Sequence, residues 1–327
     1  LEWADTKLTA VVQGGLSNQS FQREDFFDQP DMPISDVANV LGGYLKGGAN
    51  YNLNEKSNVF FNTGYISRQP QFDAVFPNFA NGINDDLQNE EIKSLELGYG
   101  FNGKDLTLNI NAYSNTWGNR FITRSLFNAQ GDQGTAQFRD IDVRHNGIEI
   151  EGKYSVTSKL KLTAMASIGD WRYTKDFTSE LFDANQQSIG TGTLYLKGAK
   201  VGNAAQTTAF VAADYRLGKV NLDMSYRYAG DLYADYSIVD AVFTQPDNVG
   251  ALKLPSYGLV DAGATTRFGK WSVRVNVNNL FDKVYISESM TNIHADENSV
   301  TWNGIDVRNS VWFGFGRTWN ASLKYNF

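Results

Sequence analysis

Long stretches of this sequence alternate between apolar and polar residues, and this alternation constrains the fold more than any other feature. In residues 160–168 the even-numbered positions are Leu, Leu, Ala, Ala and Ile, whereas the positions between them are Lys, Thr, Met and Ser. A period of two over nine residues is typical of a β-strand with one apolar face. The same pattern recurs in residues 106–112, 147–154, 220–228 and 271–278.

The connections between these segments are alternately short and long. Short connections such as residues 54–57, 102–105 and 269–270 contain Gly or Asn, which tolerate the positive φ of tight hairpin turns. Long connections are rich in Asp, Asn, Gln and Phe. This spacing predicts twelve strands, at about residues 6–17, 38–53, 58–68, 91–101, 106–121, 137–154, 160–175, 200–216, 220–232, 256–268, 271–285 and 309–327.

The strand lengths and the two kinds of connection predict the fold class. Most of these strands are longer than the five or six residues typical of soluble sheets. Short turns at one end and long loops at the other are the layout of an outer-membrane barrel, whereas a soluble β-sandwich needs no such asymmetry. A mean hydropathy of −0.38 fits, because a barrel strand exposes only every second residue to lipid. We therefore predict an all-β, antiparallel transmembrane outer-membrane β-barrel.

Composition excludes several kinds of chemistry. The chain has no Cys, only two His and a net charge of −7, which argues against thiol chemistry and nucleic-acid binding. His145 has no Ser at a spacing that suggests a catalytic triad. His294, in the last long loop, could contact a metal or a ferric ligand, but the favoured interpretation is a solvated loop residue. The acidic residues 84–86 lack the pattern of a calcium-binding loop. The sequence therefore predicts no enzymatic activity, no metal and no cofactor.

The alternation also assigns residues to the two faces of the barrel wall. The inward face carries charges of both signs, for example Glu96, Asp223 and Arg274, which favour a plugged lumen over an ion-selective pore. Aromatic residues beside the short turns, such as Tyr154 and Trp271, predict a periplasmic aromatic girdle. Residues predicted to face lipid include Leu108, Ile110, Leu162, Val273, Val275 and Leu323.

The last predicted strand ends on an aromatic residue. Leu323, Tyr325 and Phe327 share its apolar face, and Phe327 is the final residue. An apolar face closed by a terminal Phe resembles the signal that bacterial barrel-assembly machinery reads. These three residues are the predicted assembly signal.

Two segments resemble TonB-dependent outer-membrane receptors. Residues 278–285 read Asn-Asn-Leu-Phe-Asp-Lys-Val-Tyr and are followed by one long loop and a last strand, as in that family. Residues 64–70 and 89–99 resemble a strand pair from the middle of its barrel, and the Asn/Gly/Tyr-rich style resembles receptors of the Bacteroidetes group. The predicted family motif consists of Asn278, Asn279, Leu280, Phe281 and Asp282.

This resemblance implies an architecture larger than twelve strands. Receptors of the family have a barrel of about 22 strands, a plug domain and a short segment that binds TonB. Residues 1–327 contain no plug or TonB box, so they resemble the C-terminal twelve strands of such a barrel. The implied partners are the bilayer, the N-terminal barrel half with its plug, TonB acting through the plug, and a surface lipoprotein. A self-contained twelve-stranded barrel, acting as an enzyme or an export pore, is the alternative.

The resemblance implies import of a large, scarce solute such as a siderophore, glycan, cobalamin or peptide. Aromatic rings and amides in the long loops are the candidate contacts, because rings stack on such ligands and amides orient them. The same rings could instead pack the loops against each other, and both interpretations stay open at this stage. The candidate ligand-binding residues are Phe72, Phe76, Asn78, Phe79, Asn81, Tyr233, Tyr236 and Trp302.

Overall fold

One antiparallel sheet makes up most of the computed structural model. The structure describes residues 1–27, 30–77, 80–127, 133–183, 187–236 and 241–327. Short helices lie at Phe72–Val75 (α1) and, in 3-10 form, at Ala241–Thr244. No helix within these ranges is long and apolar enough to span a membrane. The strands are β1 (Glu2–Ala4), β2 (Leu8–Phe21), β3 (Ala38–Asn52), β4 (Ser57–Arg68), β5 (Glu90–Asn102), β6 (Leu106–Phe127), β7 (Gln133–Ser155), β8 (Leu160–Tyr173), β9 (Phe177–Phe182), β10 (Ser188–Leu194), β11 (Thr207–Leu217), β12 (Val220–Gly230), β13 (Leu232–Tyr233), β14 (Lys253–Leu254), β15 (Tyr257–Phe268), β16 (Trp271–Asn278), β17 (Ile286–Ser289), β18 (Thr301–Trp302), β19 (Ile305–Asp306), β20 (Val311–Phe313) and β21 (Thr318–Tyr325).

The main sheet is a meander in which each strand pairs with the next long strand of the chain. Its order is β1-β2-β3-β4-β5-β6-β7-β8-β11-β12-β15-β16-β21, and the hairpin β9–β10 branches from β7. The pairs β13–β14, β17–β20 and β18–β19 form small separate sheets in the long loops. Among the described residues, β1 and β21 make no backbone pairing with each other. The wall is therefore open at two edges.

The observed register matches the predicted assignment of faces. Ile110 lies opposite Ile150, and Ile150 opposite Ala166, so apolar residues form continuous rows across the strands. On the same outer face, Leu97 and Ile168 are 61% and 65% exposed. Such a long apolar face would be unfavourable in water, so it is expected to contact the hydrocarbon of a lipid bilayer.

The opposite face is polar. Asp223 lies opposite Gly263, and its carboxylate accepts two hydrogen bonds from Arg274 at 2.7 and 3.0 Å. Arg227 forms an ion pair with Asp261 at 2.8 Å. The predicted mixture of charges is therefore present on the inner face, and part of it forms ion pairs.

Some predicted strand boundaries differ from the structure. Strands β6 and β7 are 22 and 23 residues long and continue past the predicted ends at residues 121 and 137. Their extensions pair with each other, and β7 also pairs with β9, so the backbone groups are satisfied beyond the apolar band. The predicted strands 271–285 and 309–327 are shorter, because Asn279 turns the chain with a φ of 51° and residues 314–317 separate β20 from β21.

The register yields a direct test in the intact protein. Spin labels at the outward positions Leu162, Val275 and Leu323 are expected to be quenched by lipid-soluble oxygen more strongly than by water-soluble reagents. Labels at the neighbouring positions Lys161, Arg274 and Lys324 are expected to show the opposite preference. A slip of one residue in register would exchange the two patterns, because successive side chains point to opposite faces.

Candidate functional site

The long loops meet at one end of the wall, where the structure has three buried apolar clusters. The first cluster contains Val75 and Phe76 of the α1 region, packed against Phe21 and Ala38 at the ends of β2 and β3. Phe72 lies at the border of this cluster, with its ring 6.4 Å from Phe21 and 5.2 Å from Phe76. Phe76 is 3% exposed, whereas Phe72 is 42% exposed. Of the two predicted ligand contacts, only Phe72 presents a large part of its ring to solvent.

Asn81 connects this loop to the loop between β2 and β3. Its side chain accepts a hydrogen bond from Arg23 Nη1 at 2.8 Å and donates one to the Met32 carbonyl at 2.5 Å. Arg23 also forms an ion pair with the buried Asp25. Asn78 and Phe79, which were predicted to act with Asn81, lie outside the described residues.

The second cluster surrounds Tyr236. Its ring packs edge-on against Phe138 and Tyr173, with centroid distances of 5.9 and 5.5 Å. Burial raises the pKa of Tyr236 to about 12, although the nearby Arg124 opposes this shift. Burial also raises the pKa of Asp235, and again Arg124 opposes the shift, from 3.3 Å. Tyr236 therefore contributes to loop packing beside a partly buried ion pair.

Trp302 packs against the third cluster, which includes Ile286 and Ile305. Tyr233 lies along the chain between two members of this cluster, Leu232 and Ala234, but is not part of it. Trp302 packs edge-on against Phe313 at 5.3 Å. The ammonium groups of two lysines, Lys200 and Lys253, lie 5.6 and 6.0 Å from the Tyr233 ring. The hydrogen bond from Lys253 is the main reason why the pKa of Asp231 is lowered.

The predicted ligand contacts thus fall into three separate groups rather than one pocket. Phe72 and Asn81 belong to the first group, Tyr236 to the second and Trp302 to the third, whereas Tyr233 contacts Lys200 and Lys253 instead. The structure adds charged residues that the aromatic pattern did not reveal, chiefly Arg23, Arg124 and Asp235. The feature of the sequence that could have indicated this charged region is a pair of arginines, Arg120 and Arg124, which lie four residues apart near the end of β6.

Two cavities lie on the lumen side. A cavity of about 570 Å³ on the inner wall is lined by Glu96, Asn62, Trp117 and His145, among others. A cleft of about 280 Å³ at loop level is lined by two arginines and two aspartates, Arg120, Arg139, Asp86 and Asp140, among other residues.

Both histidines lie beside ordinary structural neighbours. His145 lies edge-on to Trp171 at 5.3 Å, and His294 Nε2 is 3.1 Å from the Gly250 carbonyl. Within the described ranges no group of three or more His, Asp or Glu side chains could hold a metal ion.

The predicted family motif forms a turn that connects three strands. Asn279 is 3% exposed, and its backbone N–H donates to Asp261 on β15 at 2.8 Å. Its side chain accepts from the Lys283 N–H at 2.8 Å and donates to the Lys283 and Phe315 carbonyls at 2.9 and 3.2 Å. Asp282 accepts a hydrogen bond from the Arg317 N–H at 2.7 Å, just before β21. The turn therefore sets the entry of the last strand, while Leu280 donates to the Val260 carbonyl at 2.7 Å and Phe281 is exposed.

The end of β21 lies at the short-turn side of the wall, where an aromatic girdle was predicted. The ring of Tyr325 is 4.8 Å from Trp271 on β16 and 5.1 Å from Phe327. Leu323 is exposed on the outer face, and Phe327 is fully exposed.

This exposure leads to a prediction about assembly. Deleting Phe327 is expected to slow insertion into the outer membrane while leaving the stability of the folded protein nearly unchanged, because an exposed terminal ring adds little packing. Pulse-chase appearance of the heat-modifiable form would measure insertion, with Phe268→Ala, an exposed aromatic residue beside a short turn, as the control. Normal insertion kinetics for the truncated chain would contradict the recognition role.

Sequence comparison assigns this wall to a family. Residues 12–280 match the family model described as "TonB dependent receptor-like, beta-barrel". The match covers most of the chain, so this protein belongs to the TonB-dependent receptor β-barrel family. Its members are outer-membrane receptors and transporters rather than enzymes, which confirms the predicted fold class, location and lack of enzymatic activity. No curated protein matches the sequence significantly.

Solved structures share the fold at low sequence identity. The copper transporter OprC is 16% identical to this chain, with a TM-score of 0.69. The match covers 100% of this chain and 46% of the OprC chain. The ferric-catecholate import receptor Fiu from E. coli K12 is 15% identical to this chain, with a TM-score of 0.59. The match covers 99% of this chain and 43% of the Fiu chain. The ferripyoverdine receptor of Pseudomonas aeruginosa is 16% identical to this chain, with a TM-score of 0.60. The match covers 100% of this chain and 37% of the receptor chain. This chain therefore spans less than half the length of these proteins.

The two phenylalanines of the first cluster make a matched pair for mutation. Phe76→Ala is expected to lower the free energy of unfolding of the intact receptor by about 3 kcal/mol, because it leaves a cavity among buried side chains. Phe72→Ala is expected to cost less than about 1 kcal/mol, because much of the ring is already exposed. Urea unfolding in lipid vesicles would measure both, and equal losses would contradict the packing described here.

Proposed function

We propose that this chain forms the C-terminal portion of the barrel wall of an outer-membrane receptor that imports a large, scarce solute using TonB-coupled energy. The family match over residues 12–280 is the observation that carries this proposal. In barrels of about 22 strands the lumen is wide enough to need a plug. The remaining strands, the plug and the TonB-binding segment would then belong to the part of the receptor outside residues 1–327.

The inner face supports a plugged lumen. It carries charges of both signs, and some of them form ion pairs, such as Arg274 with Asp223 and Arg227 with Asp261. A pore that selects ions by charge would instead use rings of like charge. A polar, paired surface suits contact with a folded plug, through which TonB would act on the receptor.

The loop end supplies features that suit solute recognition. The exposed ring of Phe72 offers a stacking surface. The cleft carries the guanidinium groups of Arg120 and Arg139 beside the carboxylates of Asp86 and Asp140. Arg120 forms no ion pair with any residue that the structure describes, so it is the cation available to a solute. Arg139 also contacts Asp86 at 3.1 Å and Glu180 at 3.7 Å, so its guanidinium is held in place. These groups favour an anionic chelate such as a ferric siderophore over a neutral glycan, a cobalamin or a peptide. The predicted surface lipoprotein stays a prediction.

Uptake by cells that produce the intact receptor would test this function. The probes are iron-55 bound to a catecholate or a hydroxamate siderophore, cobalt-57 cyanocobalamin, a labelled oligosaccharide and a labelled peptide. One of them is expected to accumulate only in cells with the receptor, and a proton uncoupler is expected to abolish that accumulation. Uptake that requires the receptor but is unaffected by the uncoupler would indicate a passive pore and contradict the proposal.

The cleft can be tested with a matched pair of variants. Arg120→Gln is expected to weaken binding of an anionic probe by about tenfold, whereas Lys104→Gln, in a short turn at the opposite end, is expected to leave it unchanged. Equal binding by both variants would exclude the cleft from the solute site while leaving the import function standing.

A further inference from the structure

A row of cationic side chains crosses the outer face of the wall at its loop end. Thr116 on β6 lies directly opposite Lys93 on β5 and Arg144 on β7. Arg144 in turn lies opposite Arg172 on β8, and an isolated bridge pairs Arg172 with Lys200. Directly opposed residues of neighbouring strands share a face of the sheet. Four of the five positions in this row are therefore positively charged.

The row lies just beyond the apolar band on the same face. Ile148 and Ile168 oppose each other four residues nearer the short turns, and both are more than half exposed. Four residues span about 13 Å along a strand. At a tilt of about 45° this corresponds to about 9 Å along the bilayer normal. The headgroup layer is about 5 to 7 Å thick on each side, and the long side chains of Arg can reach back toward it.

The positive charge of the row is only partly compensated. Arg172 and Lys200 share one carboxylate oxygen of Asp170, each at 2.7 Å. Lys93 pairs with Glu91 at 2.9 Å.

Arg144 is the cation that lacks compensation. It is exposed and forms no ion pair with any residue that the structure describes. Asp142, the nearest carboxylate on its strand, pairs instead with Lys175 at 3.0 Å. Two arginines directly opposite each other normally destabilise a sheet. An external anion between Arg144 and Arg172 would relieve this repulsion.

We propose that Arg144 and Arg172, assisted by Lys93, bind the phosphate groups of lipid headgroups in the outer leaflet. Guanidinium groups bind phosphate through two parallel hydrogen bonds, which makes a pair of arginines a suitable site. Basic residues at the edge of a membrane span commonly bind anionic headgroups. The acyl chains of the same lipid would lie along Ile148 and Ile168, so one molecule would satisfy both the charge and the apolar surface below it.

Binding to the intact, detergent-purified receptor would test this site. The probe is bisphosphorylated lipid A, compared with the same lipid after enzymatic dephosphorylation. The double variant Arg144→Gln/Arg172→Gln is expected to bind the phosphorylated lipid at least tenfold more weakly than the unmodified receptor. The control Lys104→Gln/Lys159→Gln removes the same charge from two short turns at the opposite end and is expected to bind normally.

Three further comparisons separate the effect of charge from that of the guanidinium group, check that each variant folds, and distinguish lipid from free phosphate as the ligand. Arg144→Lys/Arg172→Lys keeps the charge but lacks the two parallel hydrogen bonds of each guanidinium, so it is expected to bind more tightly than the Gln variant and more weakly than the unmodified receptor. All variants must show heat-modifiable migration like the unmodified receptor. Millimolar inorganic phosphate is expected to compete poorly, because it lacks acyl chains.

Three outcomes would overturn the proposal. These are equal binding by the Gln variant, an equal loss in the control, or full competition by inorganic phosphate, which would indicate a site for small anions only. None of these readouts depends on solute import.

Discussion

Refolded alone in detergent, this chain is expected to give no closed, protease-resistant monomer. In the described residues β1 and β21 are the two edges of the sheet and are not paired with each other. In a bilayer each unpaired backbone group costs several kcal/mol, so an open wall of this length is not stable in lipid.

Closure of these strands on themselves would also join the wrong edges. Strand β1 is antiparallel to β2 and therefore runs in the same direction as β21, so the two edges would meet in parallel. Bacterial single-chain barrels are built from antiparallel strands in even number.

Refolding can be followed by migration on SDS gels with and without heating and by resistance to trypsin. The isolated chain is expected to aggregate, whereas the intact receptor carried through the same protocol is expected to give a heat-modifiable band. A heat-modifiable, trypsin-resistant monomer formed by residues 1–327 alone would favour the self-contained barrel and contradict the proposed role as part of a larger wall.

Asn279→Ala in the intact receptor is expected to be the most destabilising single substitution among the family-motif residues. It removes three side-chain hydrogen bonds at a buried position, which together are worth about 3 kcal/mol. It also places Ala at a φ of 51°, which adds about 1 kcal/mol. The urea midpoint of the receptor in lipid vesicles would measure the loss.

Two further variants separate these contributions. Asn279→Gly tolerates the positive φ but lacks the side chain, so it is expected to recover only the smaller part of the loss. Asn278→Ala changes the preceding residue, whose amide donates to Thr318 at 3.2 Å and accepts from Asn276 at 3.3 Å. Because both bonds are long and the residue is not buried, this variant is expected to cost about 1 kcal/mol. Equal destabilisation by the Ala variants at positions 278 and 279 would contradict the structural role of the turn.

Alternation was sufficient to predict the barrel wall. Because side chains in a strand point to opposite faces in turn, the identities at positions such as Leu162 and Val275 determined which residues face lipid. The short turns were also readable, since Gly218 and Gly269 adopt the positive φ that their turns require. The end of the strand at Asn278 was not predicted. The sequence around Asn279 gives no local sign of a turn, because the turn is held by hydrogen bonds from the Asn279 side chain, one of which reaches the distant Phe315.

The loop end could be predicted only in part. Phe72 and Phe76 are the same residue type four positions apart, and only the packing of α1 against Phe21 buries one and exposes the other. The hydrogen bond from Arg23 to Asn81 joins residues 58 positions apart, which no local period can reveal. The small strands of the loops, such as β18 and β19, have two residues each and are too short to show alternation.

Cross-linking in the intact receptor tests the central claim most directly, since the chain contains no Cys of its own. Trp3→Cys on the edge strand β1 would be combined in turn with Trp319→Cys, Ala321→Cys or Leu323→Cys on the outer face of β21. The positive control is Val275→Cys with Ala321→Cys, which are directly opposed across β16 and β21. Oxidation or a short thiol cross-linker is expected to join the control pair and none of the three pairs between β1 and β21, because other strands of the receptor would separate them. Efficient linkage of Trp3→Cys to any of the three positions would show that these strands close on themselves, and would contradict the proposal that they form part of a larger barrel.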